Sequence, residues 1–325
     1  MSIRDRSDPG PGAGPPPRYP GTFLLAFREA VAGLDWQIRR WLGEAVECLD
    51  ADGEPHTVGL ENLYRRARRE DRSRWPDLIR DFLTKVGTAE TTADADLAAL
   101  ADRLLVRLGR HPVVLPVVGD QATTGGGALR VWGRNLEGTP LTINLVIDHP
   151  ETMSYVTEQM VADSGRPGEE WLERALANLR ARTPADCLSP IHEESGMLLC
   201  SVADAYDSAR ALLLDTLLPE THDLGCLVAL PSRDELLVLP ITAKALPYLH
   251  LMKVLADKNF KTSPYAITDE VYWVRQGTWR LFPIELRGKD LVVRPPPEFV
   301  EVLDQLIPDD GDEGDEAAGE KEKSG

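Results

Sequence analysis

The stretch MLLCSVADAYDSARALLLDTLLPETHDLGCLVALPSRDELLVLP, Met197 to Pro240, decides the fold. Its apolar start, Met197–Val202, predicts a strand. Asp204 opens a predicted helix to about Leu218, with Val202, Tyr206, Ala209, Leu213 and Leu217 on the buried stripe. Cys226–Leu230 and Glu235–Ile241 predict two strands joined by Pro231–Asp234. Proline and aspartate favour a tight turn there, and serine and aspartate can bond their own backbone.

Two polar clusters sit in this stretch, Asp204–Tyr206–Asp207–Ser208–Arg210 and Ser232–Arg233–Asp234. Asp204 stands where an N-cap belongs and Asp207 lies three residues on, the spacing of a capping box. Both acids suit the positive end of a helix dipole, and two acids there make a poor phosphate cradle. Turn chemistry accounts for Pro231, Ser232 and Asp234. It leaves Arg210 and Arg233 over, and Arg233 could clamp a carboxylate or phosphate.

Upstream, Phe23, Phe27, Val31, Leu34, Ile38 and Leu42 recur at helical steps, which predicts a helix from Thr22 to about Trp41. Ala45–Leu49 and His56–Val58 flank Asp50–Gly53 as a short hairpin. Helices are predicted over Leu60–Arg69, Trp75–Val86 and Asp94–Leu108. From His111 the texture turns to strands: Val113–Val118, Ala128–Trp132 and Thr139–Ile147. Helices follow over Glu151–Val161 and Glu169–Arg182. Downstream lie a helix at about Ala243–Lys258, a meander over Val271–Arg275, Thr278–Leu286 and Leu291–Arg294, and a last helix over Glu298–Leu306.

The predicted class is therefore α+β. A Pro/Gly-rich tail over 1–20 is expected to be disordered, and 21–110 forms a mainly helical region with a small hairpin. Residues 111–307 form an α+β domain with a mixed or antiparallel sheet flanked by helices. An acidic tail over 308–325 is also expected to be disordered; its residues 309–325 hold eight acids and two lysines.

The formal charge is −17, of which that tail carries −6. Such a surface repels phosphate backbones and speaks against nucleic acid. The arginines at 65, 66, 68, 69, 72, 74 and 80 interleave with Glu61, Glu70, Asp71 and Asp77, as on a solvated helix face with i,i+4 pairs. Four scattered cysteines, none in a C-x-x-C pair, point to reduced core thiols and a cytoplasmic protein. The first residues lack the apolar core of a signal peptide, and no run reaches the length of a membrane span.

Asp148-His149-Pro150-Glu151 follows an apolar strand, where a general base or metal ligand could sit. Proline near a first helical turn explains the same residues. No second histidine stands at metal-ligand spacing, and His192-Glu193-Glu194 is not H-E-x-x-H. Gly125-Gly126-Gly127 belongs to no nucleotide motif and reads as a hairpin loop, and no G-x-S-x-G elbow occurs. No cofactor or metal is expected.

Across roughly 111–300 the order of segments resembles the YtpQ-like family of uncharacterised bacterial proteins, a domain of unknown function. The resemblance is carried by the strand ending near Asp148, WLERALANLRART from Trp171, the D-A-Y-D-S-A-R segment and, most specifically, G-C-L-V-A-L-P-S-R-D-E-L-L-V-L-P. It implies a soluble bacterial protein without known cofactor and assigns no active-site residue. The function expected from these features is protein binding or regulation, with protein partners. The alternative is a hydrolase-like enzyme whose site would join Asp148, His149, Asp207, Arg210, Arg233 and Asp234 from distant strand-end loops.

Overall fold

The computed structural model describes residues 19–42, 45–88, 96–110, 114–115, 129–149, 153–221, 223–288 and 290–306. Residues 1–18 of the N-terminal tail, the acidic tail, the Gly125–Gly127 loop and Pro150–Glu151 lie outside them. The class is α+β, with every sheet antiparallel.

The N-terminal part packs three helices on a three-stranded sheet. Helix α1 (Gly21–Ala32) is followed by β1 (Gln37–Trp41), β2 (Ala45–Leu49) and β3 (Pro55–Gly59), in the order β1-β2-β3. Then come α2 (Leu60–Ala67) and α3 (Trp75–Gly87). Phe23, Phe27, Leu60, Leu63, Ile79 and Leu83 make its core. The expected helix from Thr22 to Trp41 is cut short. Asp35 takes φ 58, which no right-handed helix tolerates, and Gln37–Trp41 pairs with Ala45–Leu49. The helix starts one residue earlier than expected, at Gly21, with Pro20 at its N-cap.

The second sheet contains β4 (Leu104–Gly109), β7 (Gly133–Asn135), β8 (Thr142–Asp148) and β9 (Met153–Tyr155), ordered β4-β8-β7 with β9 also on β8. Between β4 and β7 the short β5 (Val114–Leu115) and β6 (Leu129–Arg130) pair with each other. Two expectations fail here. Leu104–Leu108 is strand, not the end of a helix, and the strand pairs with β8 from Thr142 to Ile147. Met153–Tyr155 is also strand, and helix α4 (Glu158–Asp163) starts only after Thr157, whose hydroxyl accepts from the Met160 N–H. Helix α5 (Gly168–Arg182) matches its expected span and covers β4 with Trp171, Leu172, Ala175 and Leu179.

The six-stranded sheet runs β10-β11-β13-β12-β14-β15. Its members are β10 (Leu188–His192), β11 (Met197–Cys200), β12 (Cys226–Ser232), β13 (Glu235–Pro240), β14 (Val271–Arg275) and β15 (Thr278–Leu281). Between β11 and β12 the chain makes a 3-10 helix over Ser208–Leu213 and one turn of α6 (Leu214–Leu217), in place of the long helix expected from Asp204. Helix α7 (Leu249–Thr262) lies between β13 and β14. The chain ends in the hairpin β16 (Ile284–Arg287) and β17 (Asp290–Val293), then α8 (Pro297–Leu306).

Both faces of this sheet are covered, so the apolar run CLVALPS is buried at every position. Val228, Leu230, Leu236 and Val238 pack toward the second sheet and α5. Leu227, Leu237 and Leu239 pack toward Met252 and Ala256 of α7 and Phe299 of α8. Each such side chain stabilises the fold by about 1.5–3 kcal/mol relative to exposure. Gln276 and Gly277 both take positive φ between β14 and β15, the backbone of a two-residue hairpin turn.

Candidate functional site

The polar clusters of Met197–Pro240 meet, though not as helix caps. Asp207 is fully buried and accepts from the N–H groups of Val202 (2.8 Å) and Ala203 (2.9 Å), upstream of it rather than in a following helix. The capping box is absent because Ala203 and Ala205 take φ 63 and φ 72, folding the chain back on itself. Arg210 is 0 % exposed. It donates to Asp204 Oδ1 and Oδ2 at 2.8 and 2.6 Å, to Asp207 Oδ1 at 3.0 Å and to Thr183 Oγ1 at 3.2 Å. Burial raises the Asp204 carboxyl, but the hydrogen bond and charge of Arg210 outweigh it and leave the pKa below its ordinary value.

This knot carries the next turn. The Ser208 N–H donates to the Arg233 carbonyl at 3.1 Å, and the Arg233 N–H donates to the Tyr265 carbonyl at 3.1 Å. Arg233 Nε donates to Asp234 Oδ1 at 3.1 Å, and the guanidinium carbon lies 3.2 Å from the centre of the Tyr265 ring. Tyr265 is itself held at φ 56, its N–H donating to Asn62 Oδ1 of α2 at 3.0 Å. A tyrosine in that region is strained and persists only where its surroundings hold it.

Arg233 forms one wall of a cleft of about 550 Å³ between the N-terminal helices and the rest of the chain. Asn62 and Arg66 come from α2, and Phe82, Lys85 and Val86 from α3. The opposite side is built from Arg107 of β4, Asp148 at the end of β8, His149 just after it, and Met153 and Tyr155 of β9. Tyr206 and Tyr265 complete it. Asp148, His149 and Arg233 therefore share one cleft, whereas Asp207 and Arg210 are sealed beneath it and Asp234 braces Arg233.

The acids and bases of the cleft are already engaged. Asp148 accepts from the Tyr206 hydroxyl at 2.7 Å and from Arg182 at 2.5 Å. Burial, then the hydrogen bond to Asp148, pushes the Tyr206 phenol well above its ordinary pKa. His149 is buried; Arg103 reaches its Nδ1 at 2.6 Å and Ser154 Oγ lies 3.2 Å from Nε2. A guanidinium can only donate, so Nδ1 accepts and the ring proton belongs on Nε2.

The arginines of α2 do more than face solvent. Arg65 pairs with Glu61 at 2.6 Å, as the i,i+4 spacing predicts, and also donates to the carbonyls of Phe260 and Ser263 at 3.2 and 3.1 Å. Arg69 reaches Ser263 Oγ at 3.2 Å. A cationic helix thus docks on the carbonyl end of α7, the negative pole of its dipole.

Sequence reasoning missed Arg107, Tyr155, Tyr265 and the α2–α3 wall. An arginine within the apolar LLVRLG was the available signal for Arg107, once that run is read with period two. Among the described residues no group of three His, Cys, Asp or Glu side chains could hold a metal, and no helix is long and apolar enough to cross a membrane. All four cysteines are free and buried. Burial, with a nearby carboxylate adding to it, pushes the Cys48 and Cys226 thiols up to about 12. No family model, no curated protein and no solved structure matches this chain.

Proposed function

We propose that this chain is a binding or regulatory module that takes its ligand, or a group of a protein partner, in the cleft between α2–α3 and β4–β9. One observation carries the reading. The groups that hydrolysis would need are already bonded within the protein, while among the described residues the Arg107 guanidinium of the cleft has no carboxylate partner and Arg233 pairs with Asp234 through Nε alone. Asp148 and His149 are engaged as described, and Asp207 and Arg210 lie in a sealed knot. Arg107 forms no ion pair among the described residues, and its one hydrogen-bond contact is the Met153 sulfur at 4.0 Å. Free, buried thiols accord with a reducing, cytoplasmic setting.

A hydrolase-like enzyme is the second reading, favoured by the convergence of Asp148, His149 and Arg233 on one cleft. Screening the full chain for thermal stabilisation and, in parallel, for turnover separates the two. Ligands that raise the melting temperature and are recovered unchanged support binding. A compound consumed by the native chain but not by Asp148→Asn favours the hydrolase.

A further inference from the structure

We propose that the guanidiniums of Arg107 and Arg233 together bind one oxyanion group, a phosphate ester or a carboxylate, of an organic ligand whose apolar body lies along the rings of the cleft. This rests on the binding reading above and specifies its ligand.

Arg107 stands half-buried on β4 between the buried Val106 and Leu108, without a carboxylate within ion-pair distance among the described residues. Burial lowers its pKa and the Arg233 charge adds to that, while Tyr155, Tyr206 and the more distant Asp234 carboxylate oppose it. A guanidinium stays protonated even so. Two like charges are thus held in one partly desolvated cleft; Asp234 engages Arg233 through Nε alone and Asp148 is taken by Tyr206 and Arg182, so an anion can supply the contact that Arg107 lacks. Arg233 spends its Nε on Asp234 and one ring face on Tyr265. Its terminal nitrogens have no hydrogen-bond acceptor among the described residues, and they are the forked end that suits a carboxylate or phosphate.

The fork is held in place before any ligand arrives. Its backbone is bonded on both sides, to Ser208 and to Tyr265, and Tyr265 is tied to α2 through Asn62. Little ordering remains to oppose binding. A cleft of about 550 Å³ is many times the roughly 30 Å³ that one water occupies in the liquid. It lies in the range of small-molecule pockets, so an inorganic anion alone would leave most of it wet. Phe82, Val86, Met153 and Tyr155 offer the ligand an apolar wall, and Arg66 of α2 brings a further charge to the rim.

Calorimetric titration of the full chain with phenyl phosphate, benzoate and the neutral isostere benzamide tests this. The expected result is saturable binding of at least one of the two anions at millimolar concentration, with benzamide at least tenfold weaker, roughly the worth of one charge-assisted contact. Which anion binds tells phosphate from carboxylate. Arg107→Met should weaken binding by about 10- to 100-fold, and Arg233→Lys should do likewise through loss of the fork. Arg287→Gln, at the exposed end of β16 and outside the lining of this cleft, should change nothing. If Arg107→Met fails to fold, Arg233→Lys carries the test. Benzamide binding as well as benzoate, neither anion binding, or both arginine variants binding like the native chain would overturn the oxyanion assignment and leave the binding reading standing. A synthetic peptide of residues 309–325 that outcompetes both anions would overturn it in favour of the chain's own acidic tail. Release of phenol from phenyl phosphate would instead defeat the binding reading.

Discussion

Arg210 shows how a polar residue can be indispensable without touching a ligand. Its guanidinium fills both carboxylates of the 204–207 loop, and Ser208, the next residue, donates its N–H to the Arg233 carbonyl. Replacing it with methionine would leave Asp207 buried with two backbone N–H donors and an uncompensated charge. Arg210→Met should therefore lose about 3–5 kcal/mol of stability, read from urea melts. The Asp204 carboxyl adds a pH dependence of definite sign. Its folded pKa lies below the ordinary value, so its stabilisation is full above the unfolded pKa, about 4, and is lost as pH falls through the folded one. The urea midpoint should fall as pH drops below about 4, and Asp204→Asn should flatten that slope. A native midpoint no steeper than that of the variant would contradict this assignment. None of this partnership was legible in the sequence, where Asp204 and Asp207 have the spacing of a capping box. Two alanines at positive φ, a choice that spacing does not encode, turn the acids toward Arg210 and the upstream backbone instead.

At the scale of elements, legibility followed the strength of the local period. The hairpin of β12 and β13, α3, α5 and the β14–β15 turn stand within a residue or two of their expected positions. Each has a continuous apolar run, a clean helical stripe or a turn dipeptide of its own. Gln37–Trp41 and Leu104–Gly109 were misread because short apolar segments fit periods of 3.6 and 2 alike. The neighbouring β2 and β8 then decided in favour of strand. The docking of α2 on α7 belongs to this scale too. Arg65 reaches a carbonyl 195 residues away, and such bonds to charged donors typically contribute 1.5–3 kcal/mol when protected from water. Half-exposed as these are, the pair Arg65→Ala and Arg69→Ala should destabilise the contact by about 1–2 kcal/mol. Hydrogen exchange should speed up in α2 and at Ser263–Tyr265, while β12 and β13 keep their protection. Unchanged exchange at Tyr265 would show that the arginines do not hold this contact.

Across the whole molecule, the cleft exists only because the N-terminal helices and the second sheet face each other. Its walls draw on α2, α3, β4, β9 and the β12–β13 turn. A ligand bound there should stabilise the chain by about 2.7 kcal/mol at a hundred times its Kd, read as a rise in melting temperature. The Arg65→Ala, Arg69→Ala pair should weaken that ligand as well, although neither arginine lines the cleft, because Asn62 and Arg66 ride on the same helix. Loss of affinity in a variant whose β12 and β13 remain protected would tie ligand binding to the docking of α2. Equal affinity would separate the two.

The sequence by itself determined the α+β class, the central hairpin, most of the helices and the burial of the cysteines. All of these follow from apolar periodicity and turn chemistry over a dozen neighbouring residues. Only the tertiary structure decided which polar residues are structural and which are available. Asp207 and Arg210 found each other and closed, whereas Arg107 of β4 and Arg233 of the β12–β13 turn came to one cleft, Arg107 with no ion pair among the described residues and Arg233 held to Asp234 through Nε alone. The physical reason is that a charge's fate depends on the partners and the water within a few ångströms of it, and for this cleft those neighbours come from the whole length of the chain between α2 and Tyr265.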